Sequence, residues 1–167
     1  KKFIDIGSGC GFPGLAYAIT HPNSEVYLID SSRKKTDALR QIIDALNIRT
    51  KIIVINERIE KIAHNALYRN MFDIGTTRAV GSPSTVAEYI LPMLNNGGSG
   101  LLYCGKWNQK DEMKIMNSLN ILKGSIFEIK KTQLPKSKGE RNIIIIKPEE
   151  NCPDSYPRAI GKPAKYP

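Results

Sequence analysis

Cysteine, histidine and tryptophan are scarce in this chain, with three, two and one respectively among 167 residues. Cys10, Cys104 and Cys152 are scattered and odd in number, which argues against a disulfide framework and for a reducing compartment. His21 and His64 stand alone, and no Cys/His spacing resembles a zinc site, so no metal is expected. Long apolar runs are missing as well. A membrane helix needs about 18 apolar residues, whereas Ile143 to Ile146 is a run of four, so no membrane partner is expected. There is no internal repeat and no low-complexity segment. An initiator Met is also lacking, and the chain opens directly in a strand pattern, Lys2-Phe3-Ile4-Asp5-Ile6. A segment upstream is therefore expected, and the lack of a targeting peptide carries no weight.

What remains is ordinary for one globular domain: 41% hydrophobic and 25% charged residues. A chain of this length buries roughly 70% of its unfolded surface without staples. The charge is one-sided, at +9 net, and unevenly placed. Residues 106–147 hold ten bases, nine Lys and Arg141, against the four acids Asp111, Glu112, Glu128 and Glu140. Such a surplus points to a polyanionic partner.

Strand and helix patterns alternate. Apolar, β-rich runs fall at 2–6, 25–30, 51–56, 71–77, 99–104, 125–134 and 141–147. Between them, 33–48 places Leu39, Ile42, Ile43 and Leu46 on one helical face, and 84–94 does so with Val86, Ile90, Met93 and Leu94 before Gly97-Gly98 stops it. Met113, Met116 and Leu119 mark a third helix. The alternation predicts a mostly parallel sheet with helices on both faces. The last two runs flank a turn around Pro135 to Gly139, which predicts a terminal antiparallel hairpin. The expected division is a folded domain over 1–147 and a basic, Pro-rich tail over 148–167.

The strongest local signal is Asp5-Ile6-Gly7-Ser8-Gly9-Cys10-Gly11-Phe12-Pro13-Gly14, between the first strand and a helix. Glycines let a backbone turn tightly and approach a ligand closely, and a helix start offers free amides. The second strand ends at Asp30, nineteen residues after Gly11, where an acid can accept from a ribose diol. The combination reads as a site for an adenosine-containing cofactor. Gly9, Gly11 and Gly14 fit the dinucleotide fingerprint, which would make a nicotinamide-dependent dehydrogenase. Asp5, two residues ahead of the first glycine, and Pro13, which removes an amide from the helix start, argue against it. The form D-x-G-x-G-x-G resembles the S-adenosylmethionine site of the seven-stranded, class I Rossmann-like methyltransferases, whose sheet also ends in an antiparallel hairpin.

Catalytic groups are few. The segment after the fourth strand, Asp73-Ile74-Gly75-Thr76-Thr77-Arg78-Ala79-Val80, lacks the Asn/Asp-Pro-Pro-aromatic tetrapeptide used on exocyclic amines. No Pro-Cys nucleophile is present, and Cys104 reads as a small core residue. This emptiness is compatible with methylation of guanine N7, whose lone pair is free in the neutral base; alignment alone can then supply ~7–11 kcal/mol. Other RNA or small-molecule methyltransferases, and a non-catalytic binding module, stay open on these residues alone.

A longer set of motifs narrows the choice. Phe3 to Gly9 with Phe12-Pro13-Gly14, Leu28-Ile29-Asp30-Ser31 with Lys34-Lys35, Arg58-Ile59-Glu60, Thr77-Arg78-Ala79-Val80, Leu91-Pro92, Tyr103 with Lys106, Leu134-Pro135, Glu140-Arg141-Asn142-Ile143, and Tyr156-Pro157-Arg158 with Gly161-Lys162-Pro163 stand in order. Together they resemble the bacterial guanine-N7 methyltransferases of small-subunit ribosomal RNA, the glucose-inhibited division protein B (RsmG) family. The resemblance implies S-adenosyl-L-methionine as cofactor, ribosomal RNA or the small subunit as partner, a cytoplasmic monomer, and an N-terminal helical segment ahead of the first strand. Residue by residue it implies that Gly7, Gly9, Gly11, Phe12 and Asp30 line the cofactor, that Ile59 and Glu60 meet the adenine, and that Arg78 stands at the mouth. Arg58, Arg78 and Lys106 would supply active-site electrostatics, and Lys34 would serve the substrate. Lys136, Lys138, Arg141 and Arg158 are expected on RNA phosphates. Trp107 is either a stacking platform or a core cap. Cys10 and Gly105-Lys106-Trp107 depart from the family's usual residues.

Overall fold

The computed structural model describes residues 1–135 and 139–167, so Lys136 and Lys138 lie outside the described residues. Seven strands form one sheet: β1 (Lys2–Ile6), β2 (Glu25–Ile29), β3 (Lys51–Ile55), β4 (Phe72–Arg78), β5 (Leu94–Cys104), β6 (Gly124–Gln133) and β7 (Glu140–Pro148). Their order is β3-β2-β1-β4-β5-β7-β6. The first five pair in parallel, and β7 runs antiparallel between β5 and β6. The architecture is the expected Rossmann-like sheet with a terminal hairpin.

Strand alternation sorts the core into two faces. Phe3, Val26 and Leu28 meet Leu15 and Ala18 of α1 (Gly14–Thr20) and Leu39 of α2 (Arg33–Leu46) on one side. Ile4, Ile6, Tyr27 and Ile29 face the other side. There they meet α3 (Ile59–Ile62), α4 (Pro83–Ile90) and α5 (Gln109–Leu122). Both sides of β1 and β2 are covered, which is why they read as near-continuous apolar runs. Successive strands from β1 run outward in opposite directions, toward β2 and toward β4. The switch opens a crevice at their carboxyl ends.

Three helical readings need correction. The fourth helix ends at Ile90, a 3₁₀ turn covers Leu91–Met93, and β5 begins at Leu94. Pro92 breaks the helix, because proline has no N–H and clashes with the preceding turn. Gly97-Gly98 lies inside β5, where a Cβ on Gly98 would stand 2.7 Å from the Phe72 carbonyl oxygen. In α5 the inward stripe is Ile115, Leu119 and Leu122, while Met113 and Met116 are more than half exposed. In α2 only Leu39 of the expected stripe is buried; Ile43 packs partly, and Ile42 and Leu46 are exposed.

The tail beyond β7 folds back as a strap. Arg69, with its side chain 12% exposed, donates to the carbonyls of Cys152, Pro153 and Tyr156 at 2.7–3.0 Å and to that of Ala63 at 3.0 Å. His64 Nε2 lies 2.7 Å from the Pro157 carbonyl. A short helix, α6 (Lys162–Lys165), ends the strap against α4. The ion pair of Arg69 with Asp154 adds little, because Asp154 is fully exposed.

Arg69→Ala removes the donor of four carbonyls, of which, among the described residues, only that of Pro153 keeps another, from Tyr156 N–H, and should cost about 2–4 kcal/mol. Arg69→Lys should recover only a small part, since an ammonium cannot reproduce the fork. Chemical denaturation measures both; equal stability of Arg69→Ala and wild type would remove the strap from the fold's stabilising elements.

Candidate functional site

The turn after β1 is built by its own hydrogen bonds. Gly7 and Ser8 donate their amides to the Ile29 carbonyl at 2.8 and 3.0 Å, and Gly11 donates to Ser8 at 2.7 Å. Gly9 N–H reaches Asp30 Oδ2 at 3.0 Å, and Gly14 N–H reaches Asp5 Oδ2 at 2.9 Å. Pro13 has none to give. Two of the expected free amides at the helix start, those of Gly14 and Leu15, are therefore spent inside the turn. Gly7 is fixed at φ 72°, and a Cβ there would fall 2.5 Å from Val80 Cγ2, so only glycine fits between the turn and the end of β4. Gly9 has φ 55°, but a Cβ on it would meet nothing closer than 3.8 Å. Its constraint is conformational, not one of space.

Asp5 is 1% exposed. Its Oδ1 accepts from the Thr76 hydroxyl at 3.0 Å and its Oδ2 from Gly14. Burial pushes its carboxyl up to about 6, against the pull of those two donors and the Arg78 charge. The side chain thus joins β1, the start of α1 and β4.

At the carboxyl ends of β1, β2 and β4 lies a cleft of about 270 Å³. Gly7, Asp30, Arg58, Ile59 and Glu60 line it together, with Ala79 and Val80 opposite. Asp30 and Glu60 are 7% and 3% exposed. Asp30 accepts from Gly9 and, through Oδ1, from Ser32 N–H at 2.9 Å, with Lys35 Nζ 4.0 Å away. Each oxygen keeps a lone pair for a further donor. Glu60 Oε1 accepts from the Tyr89 hydroxyl at 3.2 Å and from Gly161 N–H at 3.1 Å. Burial first, then Glu60, pushes the Tyr89 hydroxyl up to about 12, so it stays a donor. Two convergent carboxylates suit hydroxyls and an exocyclic amine. Their charge opposes an anionic pyrophosphate.

Other expected site residues stand elsewhere. Phe12 is 57% exposed and does not line the cleft. Arg78 is exposed on the far side of the turn, its Nε 3.4 Å from the Phe12 carbonyl. Gly9 and Gly11 shape the turn without lining the cleft. Lys106 is exposed near Glu140, whose carboxyl is held below the usual range by hydrogen bonds from Asn142 and Lys131 first and by the Lys106 charge least. Lys34 is exposed on α2, while its neighbour Lys35 lines the cleft. Arg141 is exposed and bonds the Glu140 carbonyl at 2.8 Å. Arg158, expected on RNA, has its guanidinium engaged by both oxygens of buried Glu88. Trp107 packs on the core, as a cap, with its Nε1 buried and without a hydrogen-bond partner among the described residues. Burial pushes the Cys104 thiol up to about 11, which makes it a poor nucleophile at neutral pH.

Three lining residues stand in none of the sequence motifs: Glu57, Tyr89 and Ala164. Tyr89 sits in a helix whose periodicity signals only core, and its polar tip is the one hint of more. A larger cleft of about 800 Å³ lies on the sheet face beside α1. It is the weaker candidate, since Asp73 there is engaged by Lys2 N–H and Asn95, and Glu128 by Lys130. Among the described residues no cluster of three or more His, Cys, Asp or Glu could hold a metal.

A family model described as rRNA small subunit methyltransferase G matches residues 1–144. A protein of Prochlorococcus marinus strain MIT 9515 named ribosomal RNA small subunit methyltransferase G is 61% identical over all 167 residues, which span 70% of its length. A protein of the same name from strain NATL1A is 43% identical, covering 99% of this chain and 67% of the relative. Among solved structures, an rRNA methylase from Streptococcus thermophilus shares the fold at TM-score 0.65 and 16% identity, covering 90% of this chain and 87% of that one. A SAM-dependent methyltransferase from Methanosarcina mazei does so at 0.67 and 14%, covering 88% and 92%.

Asp5 gives the site a pH signature. Its folded value of about 6 lies above the ordinary 3.8, so the folded chain holds this proton more tightly than the unfolded one. That contribution is full below about pH 4 and is lost as pH rises through 6, an amplitude on the order of 3 kcal/mol. Asn at this position can still accept from Gly14 and donate to Thr76. The stability of Asp5→Asn minus that of wild type should therefore climb between pH 4 and 6. A flat difference in melting experiments across that range would show that Asp5 does not titrate there.

Proposed function

The chain belongs to the rRNA small subunit methyltransferase G family, and from that premise we propose that it methylates N7 of a guanosine in small-subunit ribosomal RNA, with S-adenosyl-L-methionine held in the carboxyl-edge cleft. The observation that carries the placement is the convergence of Asp30 and Glu60 on one cleft beside Gly7. The cofactor supplies an activated methyl on a sulfonium. Asp30 accepts from the ribose hydroxyls, Glu60 accepts from the adenine amine, and Ile59 gives the ring an apolar wall. Gly7 allows the close approach of the backbone.

The remaining chemistry is alignment. Guanine N7 offers its lone pair without losing a proton, so no general base is required. That matches a site in which Cys104 stays a thiol. Arg78, exposed between the turn and the end of β4, holds either the methionine carboxylate or an RNA phosphate. Lys34, Lys106 and Arg141 are exposed and serve the RNA. The partner is ribosomal RNA, free or in the small subunit, and the enzyme acts as a cytoplasmic monomer. No helix of the described residues is long and apolar enough to cross a membrane.

Isothermal titration should show binding of S-adenosylhomocysteine and none of NAD. Asp30→Ala should weaken the former about tenfold or more, since hydrogen bonds to a charged group contribute about 1.5–3 kcal/mol. Binding of NAD in place of S-adenosylhomocysteine would sink the cofactor assignment. Mapping the methylated base in small-subunit RNA checks the N7 assignment.

Arg78→Ala separates catalysis from folding. Its one long hydrogen bond lies at the surface, so the melting temperature should stay within about 2 °C. Methyl incorporation into ribosomal RNA should fall about a hundredfold, the penalty of a misplacement near 1 Å. An unchanged rate would leave Arg78 outside the active site.

A further inference from the structure

The strap after β7 reaches the cleft, although it lies past the matched residues 1–144. Three side chains on one face of α4, at i, i+3 and i+4, organise the approach. Thr85 donates its hydroxyl to the Pro163 carbonyl at 2.9 Å. Glu88, 4% exposed, takes Arg158 in a two-pronged pair, and its Oε1 also accepts Arg158 N–H at 2.6 Å. Tyr89 donates to Glu60 Oε1. Between the Arg158 and Pro163 anchors the chain turns at Gly161, φ 80°, and its N–H is aimed at the same Glu60 oxygen, 3.1 Å away. A Cβ on Gly161 would meet nothing within 4 Å, so the left-handed backbone is the constraint. Ala164 then stands in the cleft wall.

We propose that residues 158–164 form a wall of the cofactor cleft and position Glu60, with Arg158 as the anchor that holds Gly161 on its carboxylate. Tyr89 and Gly161 both bind Oε1, which fixes the carboxylate plane, and among the described residues no hydrogen bond reaches Oε2. That oxygen is left as a preset acceptor. A preset acceptor selects a base with an amine at its edge and rejects one with a carbonyl there, because two acceptors would face each other unpaired. The strap therefore sets preference for adenine. This inference rests on the cleft being the cofactor site.

The test compares S-adenosylhomocysteine with its inosine analogue, which replaces the ring amine by a carbonyl. Wild type should prefer the adenosine form by about tenfold or more. Arg158→Ala should lose most of that preference, with affinity for the inosine form held within about twofold. Thr85→Val, which keeps the shape of α4 and removes the Pro163 anchor, should shift it in the same direction. In wild type, S-adenosylhomocysteine should slow amide hydrogen exchange across 158–164. A preference unchanged in either folded variant, or exchange in the strap unmoved by ligand, overturns the proposal. Should Arg158→Ala fail to fold, Thr85→Val and the wild-type exchange experiment decide it. Wild type that binds neither ligand sinks the cofactor reading itself, a distinct result.

Discussion

The buried carboxylate of Asp5 is the knot on which the rest of the site depends. It receives Gly14 N–H from the start of α1 and the Thr76 hydroxyl from β4, while its own backbone belongs to β1. Three elements are thereby fixed at the one place where the sheet reverses its order. An ionised carboxylate so placed is costly, and burial drives its titration up to about 6. The two hydrogen bonds offset part of that cost. Once Asp5 holds Gly14, α1 can begin only there, and the residues between must close on themselves. The amides of Gly7, Ser8, Gly9 and Gly11 turn inward to Ile29, Ser8 and Asp30 and are not offered to a ligand.

That outcome changes how the glycine pattern is understood. A dinucleotide site uses the helix start to hold phosphate. Here the helix start is occupied by an acid, and a second acid, Asp30, takes the amide of Gly9. Both acids were visible in the sequence at their distances from the glycines, and so was Glu60 after the third strand. Their order along the chain and the alternation of strands were enough for the sheet, because parallel strands covered on both faces leave long apolar runs.

Other features left no such trace. The end of α4 was misplaced because apolar residues continue through Leu94 at helical spacing, and Pro92 overrides them. The inward face of α5 was misplaced because methionine is apolar enough to join a helical stripe and pliant enough to remain outside it. The strap was unreadable for a stronger reason. It is held by side chains of the domain gripping its carbonyls, Arg69 above all, and a backbone carbonyl carries no sequence identity. Arg158 reads as one more base in a basic tail; only the fold shows Glu88 waiting for it.

The strand order also sets the two buried acids of the cleft apart from the largest basic surplus. Asp30 and Glu60 follow β2 and β3, on one flank of the sheet. The basic surplus of 106–147 follows β5 and runs through β6 and β7, the opposite flank. In the proposed function the cofactor sits beside the two buried acids, and the RNA meets the basic surplus of the other flank. Between them lie β1 and β4, with the glycine turn and Arg78 at their carboxyl ends. Methyl transfer needs the two reactants in contact, and this is where the flanks adjoin. The surplus of bases near the hairpin thus does not conflict with a cleft that holds two buried acids: they stand on opposite flanks of the sheet, with the glycine turn between them.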